Sequence, residues 1–188
     1  MTNFTVGHES NAGRLGDDRL HYPAQHIEVD NRLSWMLGSL DAKYGDHVYY
    51  VHLIRAKSPT VASYMRRWQH RESLVAGFTN GILMRDHKQL SPSERNTAVS
   101  TMYDTINTNI DFFLRGRSNA CRVEMEEMEA GFTQFWQAIG AEGDLDAALR
   151  VLQQVHNDGS QYDAWVTRNQ WHFRWKRRIA RWLGMQNG

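Results

Sequence analysis

The chain is short of several things, and each shortage excludes something. It has one cysteine, Cys121, so no internal disulfide forms, which fits a reducing compartment. Its first residues, MTNFTVGHES, carry neither the basic nor the apolar region of a signal peptide. No apolar run approaches the roughly 20 residues of a membrane helix. The expectation is a cytoplasmic chain without a membrane span. Net charge is only +1, so no global field argues for nucleic acid or a membrane surface as partner. Nine histidines are present, yet no cysteine pair or H-E-x-x-H pattern accompanies them. His21 and His26, five apart in HYPAQH, read as loop residues, and no metal site is expected. A G-x-x-x-x-G-K-[ST] phosphate loop is also missing.

What remains is an ordinary globular composition, 41% hydrophobic and 23% charged over 188 residues. That is enough chain for one domain, 1–188, with a substantial core. Residues 4–7, FTVG, read as a short buried strand, and 9–25 as a polar loop. Apolar residues at 33, 36, 37 and 40 have helical spacing, with Asp30 placed to cap the helix. HVYYVHLI is too continuously apolar for a strand wetted on one face, which predicts a parallel strand covered by helices on both. Ser58 and Pro59 sign a helix start as N-cap and first residue, with an end near Arg71. Ser91, Pro92 and Glu94 repeat the device as a capping box, for a helix that stops at Gly116. NACRVEM reads as a further strand, EAGFTQFWQAIG and GDLDAALRVLQQV as two short helices, and 163–183 as a long last helix.

Strands alternating with helices define an α/β class with a mainly parallel sheet. Ligands of such sheets bind beyond the carboxyl ends of the strands. Arg55 closes HVYYVHLI just before a helix N-terminus, where free N–H groups and the helix dipole favour phosphate or sulfate. Ser63, one turn or so into that helix, adds a hydroxyl. The competing reading is that Arg55 pairs with an acidic residue on a neighbouring loop.

These residues resemble sulfotransferases that use 3'-phosphoadenosine 5'-phosphosulfate (PAPS), in which a strand ends in Arg and the following helix carries Ser eight positions later. Arg55 and Ser63 match that spacing in IRAKSPTVASY, and the resemblance implies that they grip the 3'-phosphate. RAKSP stands where RDP or RNP is commoner in the family. VGHE, RVEMEEME and FTQFWQAIGAEGDLDAAL are similar, in order, to a bacterial-type segment, the late RYEDL-type strand and the closing helical pair, so the resemblance spans most of residues 5–158. It implies a P-loop-NTPase-like three-layer fold and transfer of a sulfuryl group from PAPS to a hydroxyl or amine of an acceptor. The family's 5'-phosphosulfate loop should precede VGHE, where only MTNFT stands. The expectation is therefore a fold with its N-terminal strand and P-loop missing or atypical: a truncated enzyme, or a non-catalytic binding or scaffold protein of degenerate sulfotransferase fold. An open strand edge left by such a loss favours oligomerisation or aggregation.

Sulfuryl transfer to a hydroxyl needs a base, and the resemblance points to Glu9 first and His8 second, at the end of the first strand. The plainer reading pairs Glu9 with an arginine such as Arg14. His52, inside an apolar strand, reads as a satisfied core histidine, and Cys121 as a small buried hydrophobe. The 165–182 segment carries four Trp and six Arg or Lys. Trp171, Trp175, Ile179 and Trp182 form one helical stripe, read as packing rather than as a nucleic-acid surface.

Overall fold

The computed structural model describes residues 1–69 and 73–152, so the expectations for Arg71 and for the 163–183 helix lie outside the described residues. Within them the chain is mixed α/β with short parallel strands. Its strands are β1 (Thr5–His8), β2 (His26–Val29), β3 (Tyr50–Ile54) and β4 (Ala120–Glu124). Its α-helices are α1 (Leu37–Tyr44), α2 (Lys57–Arg66), α3 (Leu74–Gly77), α4 (Pro92–Leu114), α5 (Met128–Ala138) and α6 (Leu145–Leu152). Among the described residues no helix is long and apolar enough to cross a membrane.

The strands form two separate parallel pairs, β1 with β2 and β3 with β4. In the second pair Val51 stands beside Cys121 and His52 beside Arg122. Alternation sends His52 to one face, where α4 covers it. Cys121 and Val123 go to the other face, where α5 packs so closely that a Cβ on Gly131 would lie 2.7 Å from Val123. His52 is buried, as expected of a core histidine. Its Nε2 is 2.8 Å from Asn107 Oδ1 and its Nδ1 3.1 Å from Asp111 Oδ1. Cys121 is buried too, and burial pushes its thiol pKa up.

Three expectations change here. FTVG becomes β1 but not a buried strand, because Val6 is 66% exposed. β3 is covered on the His52 face only, and Val51 and Leu53 remain 40% and 50% exposed. The helix α5 lies over β4, and no third strand extends the pair beyond β3 among the described residues. The third concerns the expected 33–40 helix, which divides into a 3-10 segment, Asn31–Trp35, and α1. Asp30 caps the former by accepting from the Arg32 amide.

The core lies where α2, α3 and α4 meet, around Val61, Trp68, Val75, Phe78, Val99 and Met102. The α4 start is the expected capping box: Ser91 accepts from the Glu94 amide, and Glu94 reaches back to the Ser91 amide at 2.9 Å. Those Ser91 bonds, with help from Arg85, lower the Glu94 pKa from 4.5 to about 2. A carboxyl with a depressed folded pKa contributes stability above its unfolded value and loses it as pH falls through the folded one. The first turn of α4 should therefore fray between about pH 4.5 and 2, read by hydrogen exchange of the Glu94 and Arg95 amides. Ser91→Ala should cost about 1 kcal/mol at neutral pH.

Candidate functional site

The junction of β3 and α2 is the site expected from sequence, and Arg55 stands in it directly after Ile54. Its carbonyl accepts from the Tyr103 hydroxyl at 2.8 Å, which ties the junction to α4. Its guanidinium is exposed and makes no hydrogen bond or ion pair among the described residues. Among the described residues no loop carboxylate pairs with the Arg55 side chain.

A carboxylate does reach the junction, on the backbone. Glu126, in the turn after β4, accepts from the Ala56 amide at 3.0 Å. This is what the helix dipole favours at an N-terminus. The helix starts earlier than Ser58 and Pro59 suggested: Ala56 is the N-cap, with no side-chain cap bond, and Ser58 and Pro59 fall inside the first turn. Pro59 costs nothing there, because first-turn N–H groups have no intrahelical acceptor. The amides of Lys57 and Ser58 are first-turn donors for the same reason. Lys57 itself pairs with Asp104 at 2.6 Å.

Ser63 is half-buried, two turns along α2, and its hydroxyl accepts from Arg67 Nη2 at 3.0 Å. Arg67 also lies over the Tyr64 ring, so a cation already occupies the Ser63 hydroxyl. At the junction the anion-attracting groups are therefore Arg55 and the first-turn α2 amides, with Glu126 as the resident anion, while Arg67 caps the other end of the helix. Glu126 and Arg67 had no role in the sequence reading. Glu126 is 70 positions from Ala56, and only the β3–β4 pairing brings it near.

Glu9 and His8 stand on the other sheet, at the end of β1. Glu9 holds a left-handed φ of 52°, and its Oε1 lies 2.6 Å from Arg32 Nη1. Its partner is Arg32 rather than Arg14. His8 is exposed. No hydrogen bond or ion pair among the described residues joins either residue to Arg55 or Ser63. Beside them is a denser polar cluster. Arg19 and Asp30 form a buried ion pair, and His26 contacts Glu28 and Thr5. Burial alone would raise the Glu28 carboxyl, but hydrogen bonds from His26 and Ser10 outweigh it and hold the pKa below the ordinary value. Among the described residues no group of three or more His, Cys, Asp or Glu is arranged to hold a metal ion.

No protein-family model matches this chain, and no significant match is found among curated proteins or among solved structures.

Proposed function

We propose that this chain is a sulfotransferase-like protein with a P-loop-NTPase-like fold, which binds the 3'-phosphate of PAPS at the β3–α2 junction and transfers the sulfuryl group to a hydroxyl or amine of an acceptor. The observation that carries the reading is the Arg55 guanidinium, exposed at the N-terminus of α2 and without an ion pair among the described residues. A phosphate there gains a charge-assisted hydrogen bond and the first-turn amides together. Ser63 joins it by turning its hydroxyl from Arg67. Glu9 and His8 are the base candidates, and Glu9 must leave Arg32 to serve.

A second reading, a non-catalytic binding or scaffold protein of the same fold, has its own support. The chain has no phosphate-loop pattern, and Glu126 already fills the Ala56 amide. The exposed apolar residues of β3, Val51 and Leu53, favour self-association on this reading.

Calorimetric titration of 3'-phosphoadenosine 5'-phosphate separates the two. The first reading expects saturable binding that Arg55→Ala weakens by about 1–3 kcal/mol, the range for a lost charged hydrogen bond. Failure of the folded protein to bind supports the second.

A further inference from the structure

The polar cluster between β1 and β2 contains a hydroxyl, an imidazole and a carboxylate in series. Thr5 Oγ1 is 2.8 Å from His26 Nδ1, and His26 Nε2 is 3.1 Å from Glu28 Oε2. The register builds this line, because Thr5 pairs with His26 across the sheet, and Glu28 follows two positions on, on the same face. The His26 and Glu28 side chains are only 10% and 5% exposed, while Thr5 is exposed. Tyr22 stacks on the imidazole, with ring centres 5.7 Å apart and planes 8° from parallel. The other Glu28 oxygen accepts from the Ser10 amide at 2.8 Å, so the carboxylate is anchored.

Gly7 keeps the space open. A Cβ there would meet Ser10 Oγ at 2.1 Å, Glu28 Oε2 at 2.6 Å and His26 Nε2 at 3.0 Å. In the neutral tautomer whose Nε2–H donates to the Glu28 carboxylate, the Nδ1 lone pair faces the Thr5 hydroxyl. The other contact of that hydroxyl is the Gln25 carbonyl at 3.4 Å, longer than the one to the imidazole.

We propose that Thr5 is an activated nucleophile, with His26 as its base and Glu28 as the group that orients the base, and that it accepts acyl groups from small activated esters. This is the arrangement that activates hydroxyl nucleophiles in general: nucleophile, base, then a third group fixing the base. Thr5 Oγ1 bonds to the acyl carbon as its proton passes to His26 Nδ1. The bond from that carbon to the leaving alkoxide breaks, and the alkoxide takes the proton from His26. The products are an acyl ester on Thr5 and a free alcohol, with no oxidant or reductant involved. Arg55 and Ser63 take no part, so this proposal and the nucleotide reading fail separately.

The test is incubation with p-nitrophenyl acetate, following p-nitrophenolate release and mapping the acetylated peptide. Thr5 should be the fast site. Thr5→Ser should retain it and Thr5→Ala should lose it. His26→Gln should slow acetylation at Thr5 by roughly 100-fold, the lower end of what a positioned base supplies. Thermal unfolding reports whether each variant is folded, and Glu28→Gln takes the place of His26→Gln if that variant is not. Acetyl groups spread over lysines and the amino terminus with Thr5 bare would overturn the proposal. Equal rates at Thr5 in the wild type and a folded His26→Gln chain would overturn it as well.

Discussion

Asp30→Ala should destabilise the protein by about 3–5 kcal/mol, the cost of breaking a buried ion pair by removing one partner. The Arg19 and Asp30 side chains are 6% and 0% exposed. Asp30 also accepts from the Arg32 amide at 2.8 Å, capping the 3-10 segment that follows β2. Without the carboxylate, Arg19 is a buried cation whose remaining hydrogen bond is to the Tyr22 hydroxyl at 3.2 Å. Domains of this kind are stable by only about 5–15 kcal/mol in all, so the loss is a large share. Urea unfolding should show a lower midpoint with an unchanged slope. The double variant Arg19→Met with Asp30→Ala should recover part of the loss, because it removes the stranded charge. A double variant as unstable as the single one would mean that the capping role of Asp30, not the ion pair, sets the effect.

Trp68→Ala should cost a similar amount, about 3–5 kcal/mol for a truncated buried aromatic. Trp68 is 3% exposed and packs in the cluster with Val75, Phe78, Val99 and Met102. Its Nε1–H donates to the His87 carbonyl at 2.9 Å, and Arg95 lies 5.6 Å from its ring centre. The indole thus joins α2 to α4 and to the turn around His87. Trp68→Phe keeps most of the apolar contact and leaves the His87 carbonyl unpaired, for about 1–3 kcal/mol. The difference between the two variants, measured by denaturant unfolding, separates packing from the hydrogen bond. Equal losses would contradict the split.

What could be read from sequence was local. Ser91, Pro92 and Glu94 lie within one helical turn, and their chemistry alone dictates a capping box. HVYYVHLI and NACRVEM contain β3 and β4 because β-branched and aromatic residues crowd there. Arg55 could be found because it follows its strand directly. The rest depended on distant partners. HIEV alternates polar and apolar residues, but over only four positions directly after a polar loop, so β2 went unread. With it went the line from Thr5 through His26 to Glu28. Whether Val51 and Leu53 are covered depends on what lies beyond β3, which their own sequence does not encode. Ser58 carried the marks of a cap, yet the chain leaves β3 already turning at Ala56, and the Glu126 carboxylate supplies the acceptor that a capping side chain would give. Glu9 was expected to have an arginine partner, but the sequence offered Arg14 where the fold supplies Arg32.

The central claim is that the β3–α2 junction is an anion site now held by Glu126, and one comparison tests it most directly. The product nucleotide, 3'-phosphoadenosine 5'-phosphate, is titrated into the wild-type chain, Arg55→Ala and Glu126→Gln under identical conditions. The account predicts opposite shifts. Arg55→Ala weakens binding, while Glu126→Gln tightens it by about 0.3–1 kcal/mol, because the competing charge at the helix N-terminus is gone. Binding that ignores both substitutions, or no binding by any folded form, would contradict it.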